Sequence, residues 1–239
     1  MDDLKRILND VFGDSSSSDS DDVSQSTLGW EKTSQINGLW LCRHFLSPRQ
    51  QSCLLTQIQK EGWFNESSCN QAMRFGDLPG WATELSSSIY EAILLSNLTD
   101  SAASGGDEGI CLFPETLLFR EPLFDQLIVN KYEAGEGIRF HVDLMRFEDG
   151  IAIISLDSSC IMHFSQVRMG EENQEKSPPM NVPLYLTPGS LVLMWGDARY
   201  LWEHGIDRRP GVQMWEGQEI DQKRRISITL RRLCQNSTP

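Results

Sequence analysis

From about residue 126 onward, the sequence is a succession of short apolar or alternating segments, none long enough for a stable helix. The segments are QLIVNKY, GIAIISLD, CIMHFSQV, VPLYL, SLVLMWG and RISITLRR. They are rich in β-branched and aromatic side chains, and turn-forming stretches such as FEDG and TPGS separate them. No helical segments alternate with them. The C-terminal half is therefore predicted to be a sandwich or barrel of short strands, with helices segregated to the N-terminal side.

Two helices are predicted in the N-terminal half. In FLSPRQQSCLLTQIQK, Ser47 is placed to cap the first turn and Pro48 suits the first helical position. The buried face of this helix would carry Leu54, Leu55 and Ile58. A second helix is predicted after GDLPGW, with one side formed by Trp81, Leu85, Ile89 and Ile93. The stretches SAASGGDEG and RMGEENQEKSPPMN are predicted to be loops because of their composition.

Residues 1–28 are expected to form an acidic, largely disordered tail outside the folded domain, which would span residues 29–239. The stretch GDSSSSDSDDVSQS is too polar to contribute to a core. Before it, DDLKRILNDVF has an apolar stripe at helical spacing. Two interpretations are open: a frayed terminus, or a short amphipathic segment that binds a protein partner through an acidic tether open to phosphorylation.

The formal net charge of -13 opposes non-specific attraction to polyanions, although a local basic patch is compatible with it. The 6 cysteines are scattered without a CxxC pair, which favours reduced thiols in an intracellular protein. No apolar run is long enough to cross a bilayer, and the N-terminus lacks the features of a signal peptide. We therefore expect a protein of the cytoplasm or nucleus that does not contact membranes.

The stretch GIRFHVDLMRF places His141 and Asp143 on one face of a strand, because side chains at i and i+2 point the same way. One more neutral nitrogen ligand would complete a facial triad of two histidines and one carboxylate, which suits Fe(II). The other histidines are His44, His163 and His204. His204 is favoured because it ends a strand-like run that a sandwich could bring across from the first. The alternative is a histidine hydrogen-bonded to its neighbour on a solvated strand.

The last strand, RRISITLRR, alternates apolar side chains with Arg225, Ser227, Thr229 and Arg231. If the polar face points inward, its guanidinium groups need partners, because an unpaired buried charge is very costly. A dicarboxylate cosubstrate would supply those partners. The alternative is that this polar face is solvated. The flanking residues Arg224 and Arg232 have the opposite parity and are expected at the rim or surface.

Taken together, IVNKYEAGEGIRFHVD, GSLVLMWGDARYLWEHGI and RRISITLRR resemble the motifs of AlkB-like Fe(II)/2-oxoglutarate dioxygenases, in the same order. The stretches FLSPRQQSCLLTQI and NQAMRFGDLP are similar to the N-terminal region of that family, so the resemblance covers about residues 38–233. ARYLWEHGI is especially similar to eukaryotic tRNA-modifying members. The resemblance implies a mainly β fold with flanking α (α+β), a double-stranded β-helix or jelly roll with N-terminal buttressing helices.

The resemblance also implies the cofactor and the two cosubstrates. His141, Asp143 and His204 would ligate Fe(II), with 2-oxoglutarate and molecular oxygen as cosubstrates. Arg225 would bind the distal carboxylate of 2-oxoglutarate, helped by the hydroxyl of Tyr132. The end of 2-oxoglutarate that chelates the metal would be oriented by Asn130 and Arg231. Ser227 stands where many members have asparagine; its side chain is shorter, and it would make a weaker contact.

The reaction implied is oxidative demethylation or hydroxylation, with an alkylated or modified base of RNA, tRNA or DNA as the expected substrate. Candidate substrate contacts are Arg74, Phe75, Trp81 and Arg199. The aromatic members of this set could equally belong to the core. Two other classes stay open: a protein-directed hydroxylase or demethylase, which an acidic surface would suit, and a catalytically silent binding module of the same fold.

Overall fold

The computed structural model describes residues 28–66, 68–103, 110–167, 180–207, 209 and 213–234. The predicted acidic tail, up to residue 27, lies outside the described residues, and so does most of the RMGEENQEKSPPMN loop. Among the described residues, no helix is both long and apolar enough to span a membrane.

Strands make up most of the regular secondary structure among the described residues. They are β1 (Trp30–Lys32), β2 (Leu39–Cys42), β3 (Gln71–Phe75), β4 (Gln126–Tyr132), β5 (Ile138–His141), β6 (Ile151–Leu156), β7 (Cys160–Gln166), β8 (Asn181–Leu186), β9 (Leu191–Met194), β10 (Trp202–Ile206), β11 (Met214–Trp215), β12 (Gln218–Glu219) and β13 (Arg225–Arg231). The helices are α1 (Pro48–Lys60), α2 (Gly80–Ala103), α3 (Glu115–Leu118) and α4 (Asp197–Tyr200).

Two antiparallel sheets form the framework of the jelly roll. The major sheet has 7 strands in the order β1-β2-β9-β6-β13-β4-β3, and the minor sheet has 4 strands in the order β5-β10-β7-β8. One apolar cluster joins the two sheets, with Ile151 and Ile153 from the major sheet and Met162 and Phe164 from the minor sheet. The prediction of a sandwich of short strands is confirmed, and β13 lies in the middle of the major sheet between β4 and β6.

The long helices α1 and α2 cover the other face of the major sheet. Leu54 and Ile58 of α1, with Leu85 and Ile89 of α2, belong to a second apolar cluster that includes Ile228 of β13. Successive residues of β13 therefore serve different layers: the apolar set meets the helices, and the polar set faces the minor sheet. This arrangement confirms the expected segregation of the long helices, although the short α4 lies among the C-terminal strands. It also explains how a polar strand face is held in the interior.

The start of α1 follows the sequence prediction. The side chain of Ser47 accepts a hydrogen bond from the backbone N–H of Gln50, the Gln50 side chain accepts one from the backbone N–H of Ser47, and Pro48 occupies the first turn. The predicted loop SAASGGDEG is wrong in its first part, because α2 continues to Ala103. Residues 104–109 lie outside the described part of the chain.

Candidate metal centre

Two neighbouring strands of the minor sheet bring the predicted metal ligands together. His141 at the end of β5 is paired in register with His204 of β10, and their ring centroids lie 4.5 Å apart. Asp143 follows β5 directly, and its Oδ2 lies 3.7 Å from Nε2 of His204. One ligand atom from each of the three residues lies within 4.8 Å of the other two. The geometry is that of a group able to hold one metal ion.

The other two histidines lie elsewhere. His44 is exposed after β2. His163 is on β7 between Met162 and Phe164, which point into the core, so its ring points to the outer face of the minor sheet. There its Nδ1 lies 3.3 Å from Nδ2 of Asn181. Of the three candidate histidines, the fold therefore brings only His204 to His141 and Asp143.

The protonation states of the three ligands suit a divalent cation. Nδ1 of His141 lies 2.8 Å from the carbonyl oxygen of Arg139, and an N–H there leaves the Nε2 lone pair for a metal. Burial lowers the pKa of His204 to about 4, so this imidazole is neutral at physiological pH. Two neutral imidazoles and one carboxylate are the donor set that non-haem Fe(II) takes in oxygenases. The residues present therefore fit the iron that the sequence resemblance implies.

Asp143 is held as a carboxylate by its surroundings. Burial by itself raises the pKa of Asp143, but the positive charges around it, including Arg231, outweigh burial and lower the pKa. Nη1 of Arg231 donates a hydrogen bond to Oδ1 of Asp143, and Nε of the same guanidinium donates to Oε1 of Gln126 at 2.8 Å. The far end of β13 thus fixes one carboxylate oxygen of Asp143 and leaves Oδ2 on the side of His204.

Arg199 fixes the backbone that follows the carboxylate ligand. Its side chain is 1% exposed, and its guanidinium donates to the carbonyl oxygens of Asp143 (2.9 Å), Leu144 (2.9 Å) and Phe147 (3.2 Å). Because Arg199 lies on α4, which leads into β10, it ties the loop after one ligand to the strand that carries His204. The expectation that Arg199 contacts substrate is therefore corrected. Its place a few residues before His204 was the only sequence signal for this role.

The remaining candidate substrate residues divide between interior and surface. Trp81 is 4% exposed and its Nε1 donates to Oε1 of Glu61 at 3.0 Å, so it belongs to the core and the sequence expectation is corrected. Phe75 is 45% exposed at the end of β3, and Arg74 beside it is also exposed. Their role as substrate contacts stays a prediction.

Arg225 lies at the other end of the inward face of β13 and lacks a comparable partner. It is buried, its Nε donates to Oγ of Ser155 at 3.0 Å, and its guanidinium lies 5.4 Å from the ring centre of Tyr132. Its Nη2 atom is buried without a hydrogen-bond partner among the described residues. A carboxylate bound here would supply the hydrogen-bond acceptor and the counter-charge that this buried guanidinium lacks. The site therefore fits the distal carboxylate of 2-oxoglutarate.

The other predicted cosubstrate residues lie on the same inward surface. Ser227 is buried on β13 and is paired in register with Asn130 of β4. Oδ1 of Asn130 accepts a hydrogen bond from Nε2 of Gln71 on β3, at 2.7 Å. This support for Asn130 was not visible in the sequence. The cosubstrate contacts of Asn130, Tyr132, Ser227 and Arg231 stay predictions.

The two flanking arginines of β13 differ from each other. Arg224 is exposed and pairs with Asp157 at 2.7 Å, as a rim residue would. Arg232 is 6% exposed, donates to the carbonyl oxygen of Pro122 at 2.7 Å and lies 3.5 Å from Glu148. The expectation that Arg232 lies at the rim or surface is therefore wrong. The helical layer and the 120–125 region cover that end of the strand, which the alternation of side chains along β13 does not reveal.

Comparison with known proteins decides the family. The sequence profile of the 2OG-Fe(II) oxygenase superfamily matches residues 38–231. The chain belongs to this superfamily. The matched range contains all three predicted iron ligands and both inward arginines of β13. Members are Fe(II)- and 2-oxoglutarate-dependent dioxygenases, and the bound iron supplies the oxidation of substrate that is coupled to decarboxylation of 2-oxoglutarate.

Individual relatives agree with the AlkB-like resemblance. An uncharacterized protein of Acanthamoeba polyphaga mimivirus is 28% identical over 203 residues, which are 84% of this chain and 87% of the viral protein. The tRNA (carboxymethyluridine(34)-5-O)-methyltransferase alkbh8 of Xenopus tropicalis is 31% identical over 193 residues, 77% of this chain but only 27% of the frog protein. The solved structure of OsALKBH1 has a TM-score of 0.53 at 16% identity and covers 82% of this chain and 96% of its own, which supports the fold.

Proposed function

We propose that this dioxygenase oxidises an alkylated or modified base in nucleic acid, by demethylation or hydroxylation, and that a tRNA base is the first candidate. The frog relative that is 31% identical carries a tRNA nucleoside in its name. Because this chain spans only 27% of that protein, the methyltransferase activity in the name is not part of the proposal. The proposal concerns the substrate class of the oxygenase domain alone.

The observation that carries the proposal is an exposed aromatic–arginine contact beside the ligand loop. The guanidinium of Arg146 lies 5.9 Å from the ring centre of Phe75, and the ring is 45% exposed. Arg146 follows Asp143 closely in the chain, so this contact involves the loop that continues from a metal ligand. An exposed ring with a cation beside it suits a base that leaves its stack and a phosphate that follows it.

Two apolar side chains extend this surface. Leu144 and Met145, between the ligand Asp143 and Arg146, are 59% and 71% exposed. We call Phe75, Leu144, Met145 and Arg146 the rim. Its apolar groups would contact the flat face of a base and exclude water from the approach to the iron, while Asp143 and His204 beneath it stay buried.

A second cation–aromatic pair involves Arg74, the neighbour of Phe75 on β3. The guanidinium of Arg74 lies 4.6 Å from the ring centre of Trp63. Because the whole chain has a formal net charge of -13, affinity for nucleic acid has to come from such local cations and from stacking. We therefore expect a shallow salt dependence, set by few phosphate contacts.

The experiment compares substrate classes on one enzyme. The Fe(II)-loaded full chain is incubated with 2-oxoglutarate and with modified tRNA, other methylated RNA, methylated DNA or basic peptides, and succinate and formaldehyde are measured. We expect succinate formation to rise with a modified nucleic acid. Turnover with peptides alone would contradict the proposal and favour the protein-directed alternative, which the negative charge suits. No turnover and no bound iron would favour a silent module.

A variant of the rim tests directly whether Phe75 contacts the substrate. Phe75→Ala should raise the KM for the nucleic-acid substrate about 5- to 100-fold, the range of one lost base stack. Leu95→Ala is the matched control, because Leu95 is 62% exposed on α2, behind the major sheet. If both variants and the unsubstituted protein have the same KM, Phe75 is not a substrate contact.

We also propose that the protein works in the cytoplasm or nucleus and that residues 1–28 bind a protein partner. No disulfide joins cysteines of the described residues, which suits a reducing compartment. The amphipathic and acidic pattern of the tail is the support for a partner. Deletion of residues 1–28 should leave succinate formation unchanged and abolish co-purification of that partner from cell extract; partners that stay bound would contradict the proposal.

A further inference from the structure

A small cavity lies at the Arg225 end of the jelly roll. Its volume is about 20 Å³, and its walls include Tyr132, Cys160, Ile206, Gln213, Gln222 and Arg225. A cavity of this size holds about one water-sized group. Such a volume therefore fits the terminal atoms of a ligand, and not a whole cosubstrate molecule.

Gln213 lines this cavity and carries an unpaired donor. The side chain is 2% exposed and its Oε1 accepts a hydrogen bond from the backbone N–H of Ile161 at 2.9 Å. That bond fixes the orientation of the amide, so Nε2 is the free end, and Nε2 is buried without a partner among the described residues. A buried N–H without an acceptor is costly, so the arrangement favours a ligand that accepts.

The buried polar groups around the cavity favour an anion, whereas the two carboxylates in its wall, Glu133 and Glu136, are exposed. Nη2 of Arg225 and the amide of Gln222 are also buried without hydrogen-bond partners among the described residues. Cys160 adds no competing negative charge, because burial raises the pKa of its thiol. A carboxylate, with two oxygens and about four acceptor positions, would satisfy Arg225 and Gln213 at the same time.

We infer that Gln213 binds the distal carboxylate of 2-oxoglutarate together with Arg225, and thereby selects a dicarboxylate cosubstrate. Gln213 immediately precedes β11, outside the HxD segment, the ARYLWEHGI segment and the last-strand motif. The inference concerns the cosubstrate and is independent of the proposed nucleic-acid substrate. Because Gln213 is anchored to Ile161 of β7, the minor sheet would contribute to the carboxylate site as well as to the metal centre.

The test measures how strongly Gln213 is coupled to the distal carboxylate. Full-length protein loaded with Mn(II) is titrated calorimetrically with 2-oxoglutarate and with 2-oxopentanoate, which has a methyl group in place of that carboxylate. For Gln213→Met, we expect the Kd for 2-oxoglutarate to rise about 10- to 100-fold, the range for one hydrogen bond to a charged group. The Kd for 2-oxopentanoate should stay unchanged.

Two further variants separate binding from a structural role. Gln218→Met, an exposed glutamine of β12 in the same hairpin, should leave both Kd values unchanged. Gln213→Glu keeps an acceptor for Ile161 but places a negative charge at the cavity, so it should weaken 2-oxoglutarate binding more than Gln213→Met. If Gln213→Met does not fold, the same two Kd values are measured for Gln213→Glu. Equal weakening of both ligands, or no change in their Kd ratio, would overturn the inference.

Discussion

The two ends of the inward face of β13 carry the same side chain in different states. Arg231 has its partners inside the protein, the carboxylate of Asp143 and the amide oxygen of Gln126. Arg225 has a serine hydroxyl and an aromatic face, and one of its terminal nitrogens is unpaired. The Arg231 end therefore has charged and polar partners within the chain, whereas we expect a ligand to complete the Arg225 end.

This difference shows how burial should be interpreted in a metal-dependent oxygenase. A buried charge with an internal partner orients a metal ligand, and its removal should weaken the fold. A buried charge without one marks where an anionic cosubstrate belongs, and its removal should weaken binding more than folding. The two arginines lie on one strand and face, so paired substitutions can test the comparison.

The largest effect is expected at the metal ligands, where Asp143→Ala and His141→Ala should both abolish metal binding and turnover. They should differ in stability. Loss of Asp143 leaves the buried guanidinium of Arg231 without its counter-charge, which should lower the free energy of unfolding by about 3–5 kcal/mol. His141 is half-buried and loses one hydrogen bond, so its change should cost about 1 kcal/mol. Metal content, succinate formation and urea unfolding of the metal-free protein measure these effects. Residual wild-type activity in either variant would rule out the ligand assignment.

A paired test of Arg231→Met and Arg225→Met addresses the comparison itself. Arg231→Met leaves Asp143 as an uncompensated buried carboxylate, and we expect about 3–5 kcal/mol of destabilisation. Arg225→Met should leave the free energy of unfolding of the ligand-free protein nearly unchanged and raise the Kd for 2-oxoglutarate at least about 30-fold. Urea unfolding and calorimetric titration give the two quantities. Equal loss of stability in both variants would break the proposed distinction.

A moderate effect is expected for Arg199→Met, which removes the three hydrogen bonds to the backbone after Asp143. Because the guanidinium orients a ligand without contacting the metal site, metal affinity should fall about 10- to 100-fold while the 2-oxoglutarate Kd of the metal-saturated protein changes little. Competition with a metal chelator measures the affinity. An unchanged metal affinity would assign Arg199 to the fold alone.

The smallest effect is expected for Arg224→Ala, one residue before Arg225. Arg224 pairs with Asp157 at the surface, and exposed ion pairs contribute at most about 1 kcal/mol. The 2-oxoglutarate Kd should not change. A shift comparable to that of Arg225→Met would show that overall positive charge, and not a specific buried guanidinium, attracts the cosubstrate.

Local sequence patterns were enough for much of the fold. The Ser47–Pro48 start of α1 follows from capping chemistry that acts within one turn. The alternation along β13 gave the correct division of side chains, since neighbouring residues of a strand face opposite layers. The pairing of His141 with Asp143 rested on the same geometry. These features depend on residues close in the chain, and a pattern reports them directly.

The sequence by itself thus determined the short strands, the helical starts and the residues able to bind a metal. Only the tertiary structure decided which of them meet: it placed His204 beside His141, enclosed Arg199, Trp81 and Arg232, and brought Gln213 to the cavity at Arg225. The physical reason is that these contacts join strands distant in the chain. The burial of each side chain and its contact partners depend on which distant strands pair and on which layer covers each face. The local spacing of residues does not encode either of them.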